Sequence, residues 1–391
     1  MGRVPASGVS ARQVLAEIRC ICADEARFES GRILNSMCSR PLQVAVEAYR
    51  QTIHTNLGDS RLFPGIAALE GEVVRMLGAL LGHRRAVGRL VSGGTEANLL
   101  ALYVAREIGR EKGIKHPEVV TGLSAHFSIE KCAAVLNLKV RYVPLGPDLH
   151  PSPAGFEKWI SPRTVALVAT AGSSDLGLVD DVPAIACVAR KHRLYLHVDA
   201  ASGGFIIPFA RELGHPLPRI DFCLKGVHSI TVDPHKFALS VVPGGAVLFR
   251  SQQLLSRIRF PSHFFDTPAH QTLLGTRPGA SVASVYAVLR HLGRNGLRSR
   301  VATWMERRLF LERLLASHGY QILVPPELTI VAVRTRSPVQ TMRRLRQHGW
   351  FVSVSRRHRA IRLVVHEHLR RVHLRQFVEA LCRVQPVTKQ C

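Results

Sequence analysis

Ser229-Ile-Thr-Val-Asp-Pro-His-Lys-Phe237 decides how this 391-residue chain is read. Ser229 to Val232 suits a buried strand, and the Asp-Pro-His turn after it delivers a lysine, Lys236. The chain holds nine lysines among 53 basic residues, so a primary amine at the end of an apolar run is a scarce feature. Arginine cannot substitute for it, because a guanidinium stays protonated and its nitrogens are delocalised. Lys236 therefore suits covalent aldehyde chemistry better than a solvated surface.

Upstream, Leu194-Tyr-Leu-His-Val-Asp-Ala-Ala-Ser-Gly-Gly204 gives a second apolar strand that ends in Asp199. A buried carboxylate is costly without a partner. The protonated nitrogen of a pyridine ring supplies one, and a lysine with such an aspartate is the pair that holds pyridoxal 5'-phosphate (PLP). Further upstream, Arg89-Leu-Val-Ser-Gly-Gly-Thr-Glu-Ala-Asn-Leu99 reads as strand, glycine turn and helix start. Free amides and small hydroxyls at Gly93, Gly94 and Thr95 suit a phosphate dianion. No Gly-Lys-[Ser/Thr] follows, so the turn is not a Walker loop, nor is it a GxGxxG dinucleotide turn. His126, in Ala125-His-Phe-Ser128, and the stretch Thr170-Ala-Gly-Ser-Ser174 both follow strands, where ligands meet the carboxyl ends of a parallel sheet. Ser173 is a candidate hydrogen-bonding group for the cofactor, and His235 could touch its phosphate. Asp233 is read as fixing the turn before Lys236.

Strand-like runs at 86–91, 119–124, 165–169, 194–198, 222–224, 229–232 and 245–249 alternate with helical patterns at 95–109, 128–138 and 182–192. Helices are also expected at 10–22, 41–53 and 66–82. The alternation predicts an α/β fold, with a mainly parallel sheet covered by helices. A long helical stretch at 281–319 then leads into a βαββα tail, expected as a small C-terminal α+β domain. The expected division is an N-terminal helical segment 1–55, a cofactor-binding large domain 56–280 and a small domain 281–391.

A hydrophobic fraction of 46% and a charged fraction of 21% fit a globular protein with a full core. No stretch of eighteen apolar residues suggests a membrane span, and the first residues lack a signal-peptide core, so a cytoplasmic enzyme is the expectation. The net charge of +25 would fit nucleic-acid binding, but the arginines are scattered from Arg3 to Arg383. They are read as a solvated, arginine-biased surface, and nucleic acid is not an expected partner. The eight cysteines form no CxxC pair, and the histidines show no HExxH spacing, so no metal is expected.

The ordered set Ser92-Gly-Gly-Thr-Glu-Ala-Asn98, His126-Phe-Ser128, His197-Val-Asp-Ala200, Asp233-Pro-His-Lys236 and Gly275-Thr-Arg-Pro-Gly279 resembles the group II PLP-dependent amino-acid decarboxylases. The resemblance covers nearly the whole chain. Ser36-Met-Cys-Ser39 and Thr55-Asn-Leu-Gly-Asp59 make it most similar to the archaeal L-tyrosine/L-aspartate decarboxylase branch. Sphingosine-phosphate lyase shares much of the pattern.

The resemblance implies the PLP-dependent transferase fold type I and a homodimer with active sites at the interface. It implies that Lys236 forms the imine with the cofactor, Asp199 pairs with the pyridine nitrogen and His126 stacks on the ring. Gly93, Gly94, Thr95 and His235 would hold the phosphate, with Gly275 and Thr276 reaching the partner subunit's cofactor. Asn56 and His54 would face the substrate, and Arg362 would take its α-carboxylate, since a planar fork suits that group. Burial of Lys236 is expected to lower its pKa.

The reaction implied is loss of an α-carboxylate: L-tyrosine to tyramine, or L-aspartate to β-alanine. In the archaeal relatives these products feed methanofuran and coenzyme A synthesis. Carbon–carbon cleavage on the same fold is the alternative. Relatives carry a tyrosine in the mobile loop before Gly275, where this chain offers Phe264 in Ser262-His-Phe-Phe-Asp266. A phenyl ring donates no proton, so His263 or water would have to serve, and oxidative deamination to an aldehyde becomes a further alternative.

Overall fold

The computed structural model describes residues 3–262 and 269–386. Among these, β1 (Val87–Val91), β2 (Glu118–Gly122), β3 (Lys139–Val143), β4 (Thr164–Thr170), β5 (Tyr195–Asp199), β6 (Ser229–Val232) and β7 (Gly245–Phe249) form one sheet. Their order is β1-β7-β6-β5-β4-β2-β3. Only β7 runs against its neighbours β1 and β6, and the other pairings are parallel. Every residue of β2, β4, β5, β6 and β7 is buried, which is why these strands read as continuous apolar runs.

Helices Gly94–Glu111, Ser128–Leu136 and Val182–Lys191 connect the parallel strands. The last opens at Asp181, whose carboxylate accepts from the Ala184 amide at 3.1 Å. Two sequence expectations need correction. β3 was not anticipated: it is an edge strand whose Lys139 and Arg141 break the apolar pattern, and such charges protect an open edge. Residues 222–224 are not a strand but a turn, closed by the Asp221 side chain accepting from the Cys223 amide at 3.0 Å.

The tail folds as the βαββα pattern predicts. Ile330–Arg334, Ala360–Val364 and Ser353–Ser355 form a second, antiparallel sheet in that order, backed by Pro338–Gln347 and Arg371–Val384. The helix Gly279–Ser317 is interrupted at Gly293, where φ is 56°, a conformation that glycine adopts without strain. Val282 to Met305 on this helix enter the main core, while Leu311 and Leu315 enter the core of the small sheet. The first helix, Ala11–Ile21, buries none of its residues, although Val14, Leu15, Ile18 and Ile21 are apolar. Among the described residues, no helix is long and apolar enough to cross a membrane.

Candidate active site

The parallel strands all end at one edge of the sheet, and register brings their last residues level. Thr170 at the end of β4 pairs with Asp199 at the end of β5, and Asp199 pairs with Thr231 in β6. Above that edge lies a cavity of about 350 Å³ lined by residues of five strand ends, including Gly93, Gly94, Thr95, His126, Asp199, His235 and Lys236. This is where ligands bind open α/β sheets. A larger cleft of about 540 Å³ runs past Arg89 and Arg277, but no lysine lines it.

Lys236 sits on the single-turn helix Pro234–Phe237 that follows β6. Its Nζ is 3.1 Å from Asp233 Oδ2, and His235 Nε2 is 3.7 Å from the same oxygen. The reading of Asp233 as a turn-fixing residue is therefore corrected. Its side chain caps no helix and instead faces the lysine. The expected fall in the Lys236 pKa is corrected as well. Burial pushes it down, but the Asp233 and Asp199 carboxylates outweigh burial and hold the ammonium above its ordinary value. Burial lowers His126 and His235, with nearby carboxylates opposing it in each case.

Asp199 is 6% exposed. Its Oδ1 accepts from the Ala201 amide at 3.1 Å and its Oδ2 from Asn98 Nδ2 at 2.9 Å. The same Asn98 nitrogen reaches Ser128 Oγ at 2.9 Å, and Ser128 Oγ lies 2.9 Å from His126 Nδ1. Asn98 Oδ1 accepts from Thr231 Oγ1 at 2.8 Å and lies 2.9 Å from His197 Nε2. Asn98 lies within the glycine motif, but its role is not legible there, because a lone amide carries no charge or periodicity signal.

At the glycine turn, the helix Gly94–Glu111 starts without a side-chain cap, leaving its first amides free for an anion. Close approach explains the glycines. A Cβ at Gly94 would sit 2.9 Å from Asp233 Oδ2, and one at Gly245 would sit 2.4 Å from the Gly93 Cα. Ser92 is tied to this helix through its amide, which donates to Glu96 Oε2 at 2.8 Å.

Other expected residues fall in different places. Ser174, not Ser173, lines the cavity; the Ser173 hydroxyl accepts from the Leu178 amide at 3.2 Å, inside its own loop. Arg362 is buried beside the wall rather than in the lining: its Nε donates to Ser174 O at 2.6 Å, and its Nη2 lies 3.0 Å from Met37 Sδ. Burial lowers its pKa to about 10. Asn56 and His54 do not line the cavity. Asn56 bridges to Pro278 and its Oδ1 accepts from the Gly58 amide at 3.0 Å, so it lies with Thr276 on another surface. Gly275 and Thr276 are exposed there, also away from Lys236. His263 and Phe264 lie outside the described residues.

The arrangement fits PLP on its own chemistry. It offers a primary amine, a buried carboxylate held by neutral donors, free helix-start amides for a phosphate and a flat imidazole in the same lining. Comparison with known proteins agrees with this donor set. Residues 30–336 match the model of the pyridoxal-dependent decarboxylase conserved domain. An L-aspartate decarboxylase of Thermococcus kodakarensis is 40% identical over 380 residues, covering 96% of this chain and 98% of that protein. A probable L-tyrosine/L-aspartate decarboxylase of Methanothermobacter thermautotrophicus is 41% identical over 349 residues, covering 89% and 95%. Among solved structures, the sphingosine-1-phosphate lyase of Burkholderia pseudomallei superimposes with a TM-score of 0.91 at 27% identity, covering 98% of this chain and 92% of that one.

Proposed function

Because the chain belongs to the pyridoxal-dependent decarboxylase family, we propose that it removes the α-carboxylate of L-aspartate, giving β-alanine, or of L-tyrosine, giving tyramine. The observation that carries the reading is that Lys236 and Asp199 line one cavity, with Lys236 Nζ held 3.1 Å from Asp233. PLP, when bound, supplies the electron sink that accepts the electrons left behind by departing carbon dioxide. Lys236 provides the amine for its aldehyde. Asp199, fixed by Asn98 and the Ala201 amide, is assigned to the positive ring nitrogen. Gly93, Gly94, Thr95 and His235 are assigned to the phosphate, and His126 to one face of the ring. Ser174 takes the place first given to Ser173. Arg362 is assigned to the substrate α-carboxylate: it contacts the Ser174 carbonyl on the cavity wall, and one of its nitrogens meets only a sulfur.

Relatives named for aspartate and for tyrosine/aspartate support both substrates. β-Alanine for coenzyme A and tyramine for methanofuran are the corresponding proposed destinations. The division 1–55, 56–280 and 281–391 is kept as the proposed domain organisation, and the cytoplasm as the proposed location. A homodimer is proposed on the position of Asn56, His54, Gly275 and Thr276. They sit away from their own Lys236, beside the exposed side chains of Ile53, Leu62, Leu273 and Leu274. A second copy would both cover this apolar surface and receive these residues.

The test is an incubation of the PLP-loaded protein with each amino acid, following carbon dioxide, amine, aldehyde and hydrogen peroxide together. Amine and carbon dioxide in equal amounts from aspartate or tyrosine are expected. Peroxide with aldehyde would replace decarboxylation by oxidative deamination. The structural likeness to sphingosine-1-phosphate lyase favours one second reading, carbon–carbon cleavage. Aldehyde release from a phosphorylated amino alcohol, with no carbon dioxide from any amino acid, would establish it instead.

A further inference from the structure

The geometry points to Asn98 as a positioning residue that sets, through one amide, both the carboxylate of Asp199 and the nitrogen of His126 that carries the proton. The inference deepens the cofactor reading and rests on it for its consequence, though not for its geometry.

Asn98 is 1% exposed, and all four of its hydrogen-bonding positions are used. That occupancy fixes the amide's orientation. Were it turned over, its oxygen would stand 2.9 Å from the Asp199 carboxylate, two acceptors facing each other without a proton. Nδ2 therefore gives one hydrogen to Asp199 and the other to Ser128 Oγ. Oδ1 receives Thr231 Oγ1–H and His197 Nε2–H, so His197 carries its proton on Nε2 and accepts at Nδ1 from Ser229 Oγ, 2.8 Å away.

The chain of donors then continues in one direction. Ser128 Oγ, already accepting from Asn98, has its own hydrogen left for His126 Nδ1 at 2.9 Å. The Ser128 backbone amide points at the same nitrogen from 3.2 Å. With two donors facing it, Nδ1 is a bare acceptor, and the neutral ring must carry its proton on Nε2. A second proton at Nδ1 would have to displace both donors. His126 thus meets a ligand in the cavity as an N–H donor rather than as a base. One neutral amide, drawing on hydroxyls and an imidazole from β5 and β6, supplies both ends of the site with the polarity each needs.

The test begins with cofactor-free protein carrying ¹⁵N-labelled histidine, with His126 assigned by comparison with His126→Gln. Long-range proton–nitrogen spectra are expected to show Nδ1 as pyridine-like and Nε2 as protonated. Asn98→Leu removes both branches. It is expected to mix the His126 tautomers and to weaken PLP binding about tenfold or more, the loss associated with a hydrogen bond to a charged group. Ser128→Ala cuts only the His126 branch, so the tautomer signature changes with a smaller loss of PLP affinity. If Asn98→Leu does not fold, Ser128→Ala, which leaves the buried amide in place, carries the tautomer test. A protonated Nδ1 in the wild type would overturn the inference. So would a variant at Asn98 that keeps both the wild-type signature and the wild-type PLP affinity. Failure of the wild type to take up PLP would sink the cofactor reading alone, because the tautomer is read without cofactor.

Discussion

Lys236 and Asp233, three residues apart across a single helical turn, form an ion pair 3.1 Å long that, together with Asp199, outweighs burial in setting the charge of the amine. In the cofactor-free protein the amine is therefore stored as an ammonium, and capture of an aldehyde requires it to give up a proton first. Because the folded pKa lies above the ordinary value, the rate of PLP uptake is expected to rise with pH into the alkaline range. Asp233→Asn removes the larger of the two raising charges and should shift that profile towards lower pH. Stopped-flow absorbance on the cofactor-free protein measures it, and an unmoved profile would refute the role given to Asp233. Lys236→Ala should leave no absorbance band that borohydride can fix to the chain.

Gly245 does not line the cavity, yet a Cβ there would meet the Gly93 Cα at 2.4 Å and Asp233 Oδ1 at 2.8 Å. The Gly93 Cα is backbone, so the glycine turn has to move. Gly245→Ala is expected to cost about 1–3 kcal/mol of stability and to weaken PLP binding disproportionately. Thermal unfolding with and without saturating PLP separates the two. An equal loss in both conditions would mean that the turn is indifferent to its backing strand.

His366 stacks on Phe237 at 4.5 Å and is fully buried, and burial drives its pKa from 6.5 down to about 3. On acidification the unfolded chain takes up this proton first, so stability falls as pH drops below about 6.5 and keeps falling to about 3. Between pH 7 and pH 4 the loss from this one ring is on the order of 3 kcal/mol. His197 and His228, each held near 4 by burial, act in the same direction, whereas Asp180, raised to about 7 by burial, opposes them. All three remain in His366→Gln, so the difference in slope between variant and wild type reports His366. Parallel melting curves across that pH range would disprove its contribution.

Mixed dimers test the shared site. Chains carrying Lys236→Ala lack their own amine, and chains carrying Thr276→Trp would spoil the site of their partner. Each homodimer is expected to be inactive. Coexpression should restore activity, because the Thr276→Trp chain keeps Lys236 and receives an intact Thr276 from the other copy. No recovery, with mixed dimers shown to form, would exclude a site shared in this way.

The candidate cofactor residues were legible in the sequence because each follows an apolar run, and strand ends in a parallel sheet share one edge. Lys236, Asp199, His126 and the Gly93–Gly94 turn belong to that class, and the structure gathers them. β3 was not legible, since an edge strand carries charges that break the pattern. The direction of the Lys236 shift was missed because it depends on a distance rather than on burial alone. Asn98 escaped because its partners come from 30 to 133 residues further along the chain. Ser173 and Ser174 could not be told apart, since adjacent hydroxyls in a loop differ only in which way the backbone turns.

The helix Gly279–Ser317, shared by both cores, carries Trp304 against Phe237, the residue next to Lys236. Trp304 also donates to Glu367 Oε2 at 2.9 Å, three residues after Val364 of the small sheet. Unravelling either core would strip the backing from the other. The two sheets are therefore expected to unfold as one cooperative unit. A single calorimetric transition is the expected signature, and damage at the far tail is felt as lost support beneath the reactive amine.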